Sequence, residues 1–106
     1  MAFTLETLDA IVAARASSTA DASYTKSLLE KGAAHCARKF GEEALETVIA
    51  AVEGGREALI KESGDALFHL LVLLRAGGAG LDEVMAELER RTAQSGHAEK
   101  ASRPKD

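Results

Sequence analysis

The run ALFHLLVLL, residues 66–74, constrains this chain most: His69 is its one side chain that is not apolar. Nothing in the run breaks a helix, and a helix that is apolar on all sides has to be covered by protein. Yet the residues leading into it, KESGD at 61–65, carry Glu62 and Asp65. At 100° per residue these two acids and His69 share one arc, flanked by Ala66, Val72 and Leu73. The arc turns apolar beyond His69, so the acids stand at the rim of a buried seam rather than on a broad solvated face.

The remaining elements follow from apolar periodicity and cap residues. TLETLDAIVAARA sets Leu5, Leu8, Ile11 and Val12 on one face and predicts a helix over 4–17. The polar linker SSTADAS follows. Ser23 or Thr25 is placed to cap a short second helix through Glu30, which Gly32 ends or bends. A long third helix, AAHCARKFGEEALETVIAAVE, has Leu45, Val48, Ile49 and Val52 as its expected buried stripe and Gly54–Gly55 as its stop signal. Gly41 inside it costs roughly 1 kcal/mol relative to Ala, which suggests that another helix or a ligand comes close there. REALIKESGDALFHLLVLLRA is the fourth helix, closed by GGAG. LDEVMAELERRTA is the fifth, with Asp82 and Glu83 in its first turn and Arg90 and Arg91 near its end, both favourable with the helix dipole.

No stretch alternates with period two. The expected fold is therefore all-α, a bundle of four to five helices in one domain over residues 1–94. A polar tail over 95–106 has no period and is expected to be mobile or to order only on a partner. The fourth helix has more apolar circumference than a small monomer covers, so a homodimer is expected to complete the bundle.

Composition narrows the function classes. Hydrophobic residues make up 46% and aromatic ones 4%, with one Pro and no Trp, a balance suited to packed helices. The formal charge of −4 argues against a nucleic-acid binder. It leaves room for a phosphorylated small molecule, because bound cations invert the local sign. Cys36 is alone, which excludes a disulfide framework and a thiolate metal cluster and fits a reducing, cytoplasmic setting. No apolar run approaches the ~20 residues of a bilayer span, and the N-terminus lacks the order of a signal peptide, so no membrane role is expected.

Two acidic patterns remain. In GEEALE, Glu43 and Glu46 lie at i,i+3 and Glu42 at i,i+4 from Glu46; in ESGD, Glu62 and Asp65 lie at i,i+3. Each spacing puts side chains on one helix face. For the third helix alone, a solvated polar face is the ordinary reading. The short GGREA connection, however, makes the two helices antiparallel neighbours, so that the pairs face each other. Two carboxylates ~6 Å apart at an effective dielectric of ~20 repel by about 3 kcal/mol. Four converging ones accumulate a repulsion comparable to the roughly 5–15 kcal/mol stability of a domain. They must protonate, separate or share a cation. An oxygen-only set selects a hard ion, Mg²⁺ or Mn²⁺, and Mg²⁺ usually completes its shell with water and substrate phosphates. A di-iron bundle needs Glu-x-x-His on two helices; Gly32 and Ala66 stand three residues before His35 and His69, so that motif is absent.

Glu-x-x-Glu followed about fifteen residues later by Glu-x-x-Asp resembles the all-α nucleoside-triphosphate pyrophosphatases, the MazG-like proteins. SYTKSLLEKG at 23–32, KFGEEALETVIAA at 39–51, ESGDALFHLLVLL at 62–74 and SGHAEKASRP at 95–104 together resemble the phosphoribosyl-ATP pyrophosphatase family, the second enzyme of histidine biosynthesis. The first helix fits loosely, with Arg15 in the expected place. The family more often has Tyr before the histidine where this chain has Phe68, so a hydrogen bond from that hydroxyl is not expected. Nothing resembles the Cys- and His-rich cyclohydrolase unit sometimes fused to this enzyme, and the stand-alone form is expected.

The resemblance implies hydrolysis of phosphoribosyl-ATP to phosphoribosyl-AMP and pyrophosphate. Mg²⁺ on Glu43, Glu46, Glu62 and Asp65 would neutralise the triphosphate and orient water toward the α–β bond. Glu46 is counted with the catalytic acids as well as the ligands, and Glu42 is the candidate base or water-orienting group, equally readable as a structural acid. Lys39 is a candidate phosphate contact or an i,i+4 ion pair with Glu43. Arg15, Lys26 and Lys31 are candidates for the ribose 5-phosphate, and surface lysines and arginines need no such role. Tyr24 and Thr25 serve either the cap or the substrate. His69 is either a satisfied core histidine or support for Asp65 at i,i+4. Cys36 reads as a small core residue. Two rivals stay open: a house-cleaning pyrophosphatase for dUTP or another nucleotide, and a helical dimerisation module whose acids are only solvated.

Overall fold

A computed structural model describes residues 2–19 and 23–93. The 95–106 tail therefore lies outside the described residues. Five α-helices run in order: α1 (Leu5–Ala16), α2 (Tyr24–Glu30), α3 (Ala33–Ile49), α4 (Gly55–Ala76) and α5 (Leu81–Thr92). A π-helical segment, Ala50–Gly54, joins α3 to α4. The described residues contain no strand.

Local chemistry accounts for the helix starts. Thr4 caps α1 by accepting from Thr7 N at 3.1 Å. Of the two residues proposed for α2, Ser23 is the cap, accepting from Lys26 N at 3.1 Å, and Thr25 is instead buried. Glu83 reaches back to the Gly80 N–H at 2.8 Å and closes the start of α5. Gly32 does separate α2 from α3, with φ of 94° that an L side chain rarely adopts.

The third and fourth helices form an antiparallel hairpin, and its sharp end needs both glycines of the Gly54–Gly55 pair. A Cβ on Gly54 would stand 3.0 Å from that of Ala58, and Gly55 has φ of 82°. The stop signal thus marks the reversal, reached through a wider turn rather than a clean break in helix.

The core lies at the other end of this hairpin. Val12 of α1, Leu28 of α2, Cys36 of α3, Leu71 and Val72 of α4 and Leu81 of α5 form one buried cluster, with Leu5, Leu8, Leu29 and Phe68 packed on it. Cys36 is the small core residue expected, its Sγ donating to Leu28 O at 3.3 Å. Burial pushes its thiol pKa up, as it should for a group that does no chemistry.

One expectation about packing fails within the isolated chain. Leu45, Val48, Ile49 and Val52 are exposed, Val52 by 77%, rather than buried. The physical reason is that the core gathers where α1 and α2 cover the hairpin, and the stripe lies toward the uncovered turn. The fourth helix is correspondingly uneven: Leu71 and Val72 are buried, whereas Ile60 and Leu67 are exposed. At Gly41, no described atom of another helix comes within 4 Å of a Cβ placed there, so a neighbouring helix does not explain that glycine.

Candidate metal and nucleotide site

The hairpin decides which acids meet. Glu43 and Asp65 lie the same number of residues from Gly54, and so do Glu46 and Glu62, so an antiparallel pairing brings each couple to one level. Carboxylate oxygens of Glu43, Glu62 and Asp65 come within 4.8 Å of one another. Glu43 and Glu62 are half-buried and Asp65 is exposed, so the group forms a notch open on one side. Glu46 stands just outside this trio, exposed, and close enough to share a proton with Glu43 and with Glu62.

The electrostatics are those of crowded like charge. Glu43 is pushed up to about 7, first by sharing a hydrogen bond with Glu46, then by burial, then by the charges of Glu46, Asp65 and Glu62. The Glu62 carboxyl is also raised, mainly by burial and then by the charges of Glu46 and Asp65. With these acids ionised, Oε2 of Glu62 is buried without a hydrogen-bond partner. A buried carboxylate oxygen left in that state is unusual and calls for a proton or a cation. The donor set is oxygen only, which suits a hard divalent ion; the residues present fit one.

Around the notch the expected residues divide. Lys39 does make an ion pair, but its Nζ donates to Glu42 Oε1 at 3.2 Å rather than to Glu43. Glu43 is turned toward α4, so the lysine takes the acid that remains on the outer face. Glu42, the candidate base, is exposed and held by that lysine, outside the convergent trio. Lys39 has its pKa raised by this hydrogen bond and charge first, then by the nearby Tyr24 and Glu43.

His69 is buried, and its contacts are with rings rather than with Asp65: Tyr24 at 5.9 Å and Phe68 at 5.2 Å, both edge-on. No hydrogen bond joins it to Asp65 among the described residues. Burial and then Lys39 lower its pKa, against the opposing pull of Asp65 and Glu42. Tyr24 also stacks on Phe68 at 6.3 Å. The sequence offered no signal for this aromatic trio, because α2 and α4 are far apart in the chain and no spacing rule links them.

Arg15 is exposed in the last turn of α1, Lys26 is half-buried on α2, and Lys31 is exposed just after it. None of the three forms an ion pair among the described residues. Lys31 is near enough to His35, at the start of α3, to help lower its pKa. Cavities among the described residues lie elsewhere. One of about 600 Å³ is lined by Glu6, Asp9, Asp82, Met85 and Glu89 between α1 and α5. One of about 430 Å³ is lined by Phe3, Leu5, Leu8, Gly64, Leu67 and Phe68. The clustered carboxylates line neither of them.

The chain matches the family described as phosphoribosyl-ATP pyrophosphohydrolase over residues 5–92. It is 62% identical over 100 residues to the phosphoribosyl-ATP pyrophosphatase of Azorhizobium caulinodans, covering 94% of this chain and 92% of that one. It is 60% identical over 104 residues to the phosphoribosyl-ATP pyrophosphatase of Nitrobacter winogradskyi, covering 98% and 90%. To the phosphoribosyl-ATP pyrophosphatase 1 of Rhodopseudomonas palustris it is also 60% identical, covering 98% and 97%. The acid notch thus lies inside a match that spans every helix, and the chain belongs to the phosphoribosyl-ATP pyrophosphohydrolase family.

Proposed function

We propose that this chain hydrolyses phosphoribosyl-ATP to phosphoribosyl-AMP and pyrophosphate in histidine biosynthesis, as a cytoplasmic enzyme. The observation that carries the reading is the convergence of Glu43, Glu62 and Asp65, one of which, Glu62, has a buried oxygen without a partner, in a member of this family. Glu43, Glu62 and Asp65, with Glu46 beside them, would hold Mg²⁺ or Mn²⁺. Such an ion supplies charge neutralisation for the triphosphate and a more acidic bound water.

The chain's own groups have distinct tasks. On the half-buried face of the notch, crowding by like charge holds the Glu43 carboxyl up, and the proton it shares with Glu46 would be given up to a bound cation. Glu42 sits at the rim, where a water approaching the α–β anhydride would pass, and Lys39 fixes its carboxylate. When the polyphosphate enters, Lys39 has two anions to choose between; moving to phosphate would free Glu42 to orient or deprotonate water. Arg15, Lys26 and Lys31 are left with the ribose 5-phosphate, a doubly charged group that needs cations.

The homodimer belongs to the same proposal. Leu45, Val48, Ile49 and Val52 repeat at helical spacing and are exposed, as are Ile60 and Leu67 of α4, while the buried core of one chain is small. A second copy packing on the hairpin would cover the stripe and complete the bundle.

The test is a substrate panel with Mg²⁺, run beside calorimetric titration of Mn²⁺. Phosphoribosyl-ATP should be turned over in preference to ATP and dUTP, and Mn²⁺ should bind. Preference for dUTP or another nucleotide would replace this substrate by a house-cleaning role. Absence of both binding and turnover would leave a helical interaction module.

A further inference from the structure

Tyr24 is an aromatic side chain that neither the core nor the helix cap accounts for. Ser23 caps α2, and the Tyr24 ring is 55% exposed. The ring is nevertheless held firmly. It stacks on Phe68 at an interplanar angle of 17° and meets the edge of His69, and His69 is itself buried and braced by Phe68. His69, which the ring touches at 5.9 Å, lies four residues beyond Asp65 on α4, one helical turn, and so brings Tyr24 alongside the acid notch, where Lys39 is bonded to Glu42. A flat, pre-positioned π surface therefore borders the place where the polyphosphate would lie.

The parts of a nucleotide differ in what they ask of such a surface. A phosphate is repelled by the negative face of a ring, and a ribose prefers hydrogen-bond donors and acceptors. A purine offers a π face of its own, and stacking on a ring already fixed in place loses little conformational entropy. We propose that Tyr24 is the platform on which the purine base of the substrate stacks, with the triphosphate running past Lys39 to the carboxylates. This rests on the nucleotide reading above and adds where the base lies.

The chain carries one Tyr and no Trp, so its intrinsic tyrosine emission reports this ring alone. The experiment titrates AMP and, separately, ribose 5-phosphate into the intact protein with Mg²⁺ present, correcting for adenine absorbance. AMP has no anhydride bond and is not consumed. AMP should quench the emission saturably, and ribose 5-phosphate should leave it unchanged. In steady-state assays Tyr24→Phe should stay within about threefold of wild type. Tyr24→Leu should raise KM for phosphoribosyl-ATP by roughly 10- to 100-fold with kcat little changed, the range typical of a lost base–aromatic stack.

Emission that ignores AMP in a preparation that turns over phosphoribosyl-ATP would overturn the platform while leaving the activity standing. So would an unchanged KM in Tyr24→Leu, or emission per mole of protein that changes on dilution but not with AMP, since the ring would then be covered by a second copy. Saturable quenching by AMP in a protein that does not hydrolyse phosphoribosyl-ATP would support the platform and sink the substrate assignment instead.

Discussion

Glu43→Gln tests the crowding of charge directly, because it removes one negative group and keeps the shape. In the metal-free protein the Glu43 carboxyl is raised from 4.5 to about 7. Its folded form therefore keeps a proton that the unfolded chain has already lost between those two pH values. Stability from this group is complete below 4.5 and is lost as the pH climbs through about 7. At about 1.4 kcal/mol per pH unit the whole shift corresponds to roughly 3 kcal/mol. The notch is open to water on its Asp65 side, so screening should reduce this to about 1 kcal/mol. For a domain of this length that is a change of roughly 5 °C in Tm. The assay is thermal unfolding by circular dichroism in EDTA at fixed protein concentration, from pH 5 to pH 8. Wild type should fall relative to Glu43→Gln as the pH rises, so that the variant is the more stable protein at pH 8. Adding Mn²⁺ at pH 8 should reverse the order, since only the intact acid set gains binding free energy; an ion at 100 times its Kd contributes about 2.7 kcal/mol. A variant that melts below wild type in EDTA at pH 8, or a difference that does not change with pH, would refute the reasoning.

Asp65→Asn and Glu46→Gln should each lower turnover of phosphoribosyl-ATP by at least about 100-fold while the far-ultraviolet spectrum and Tm stay the same or improve; loss of fold would mean that these acids are structural. Val48→Asp, on the exposed stripe of α3, should shift sedimentation equilibrium toward monomer, and an unchanged molecular mass would place the subunit contact elsewhere. Ser23→Ala removes the bond to Lys26 N and should cost about 1 kcal/mol, read as a lower urea midpoint. Leu71→Ala, deep in the core, should cost roughly 2–5 kcal/mol by the same measurement.

The helices themselves were legible from short-range rules. Ser23, Gly32 and the Gly54–Gly55 pair announce helix ends because capping and backbone sterics act within a few residues. The i,i+3 acids were legible for the same reason. What those rules do not contain is the rotation of one helix against its neighbour. The angle of the hairpin turned Glu43 inward and left Glu42, rather than Glu43, to pair with Lys39. It also placed Gly41 away from any neighbouring helix and exposed the stripe from Leu45 to Val52 that periodicity alone marks as buried. Periodicity reports that a face is apolar but does not say which surface covers it.

The sequence by itself determined that the chain is helical, roughly where its helices fall, and which four acids stand at spacings able to converge. These are consequences of backbone geometry and of side chains within one or two turns. Only the tertiary structure decided that three of those acids meet closely, that one oxygen of Glu62 is buried without a partner, and that Tyr24 rests on Phe68 and His69. Those contacts join helices distant in the chain, and packing, which no local spacing encodes, sets them.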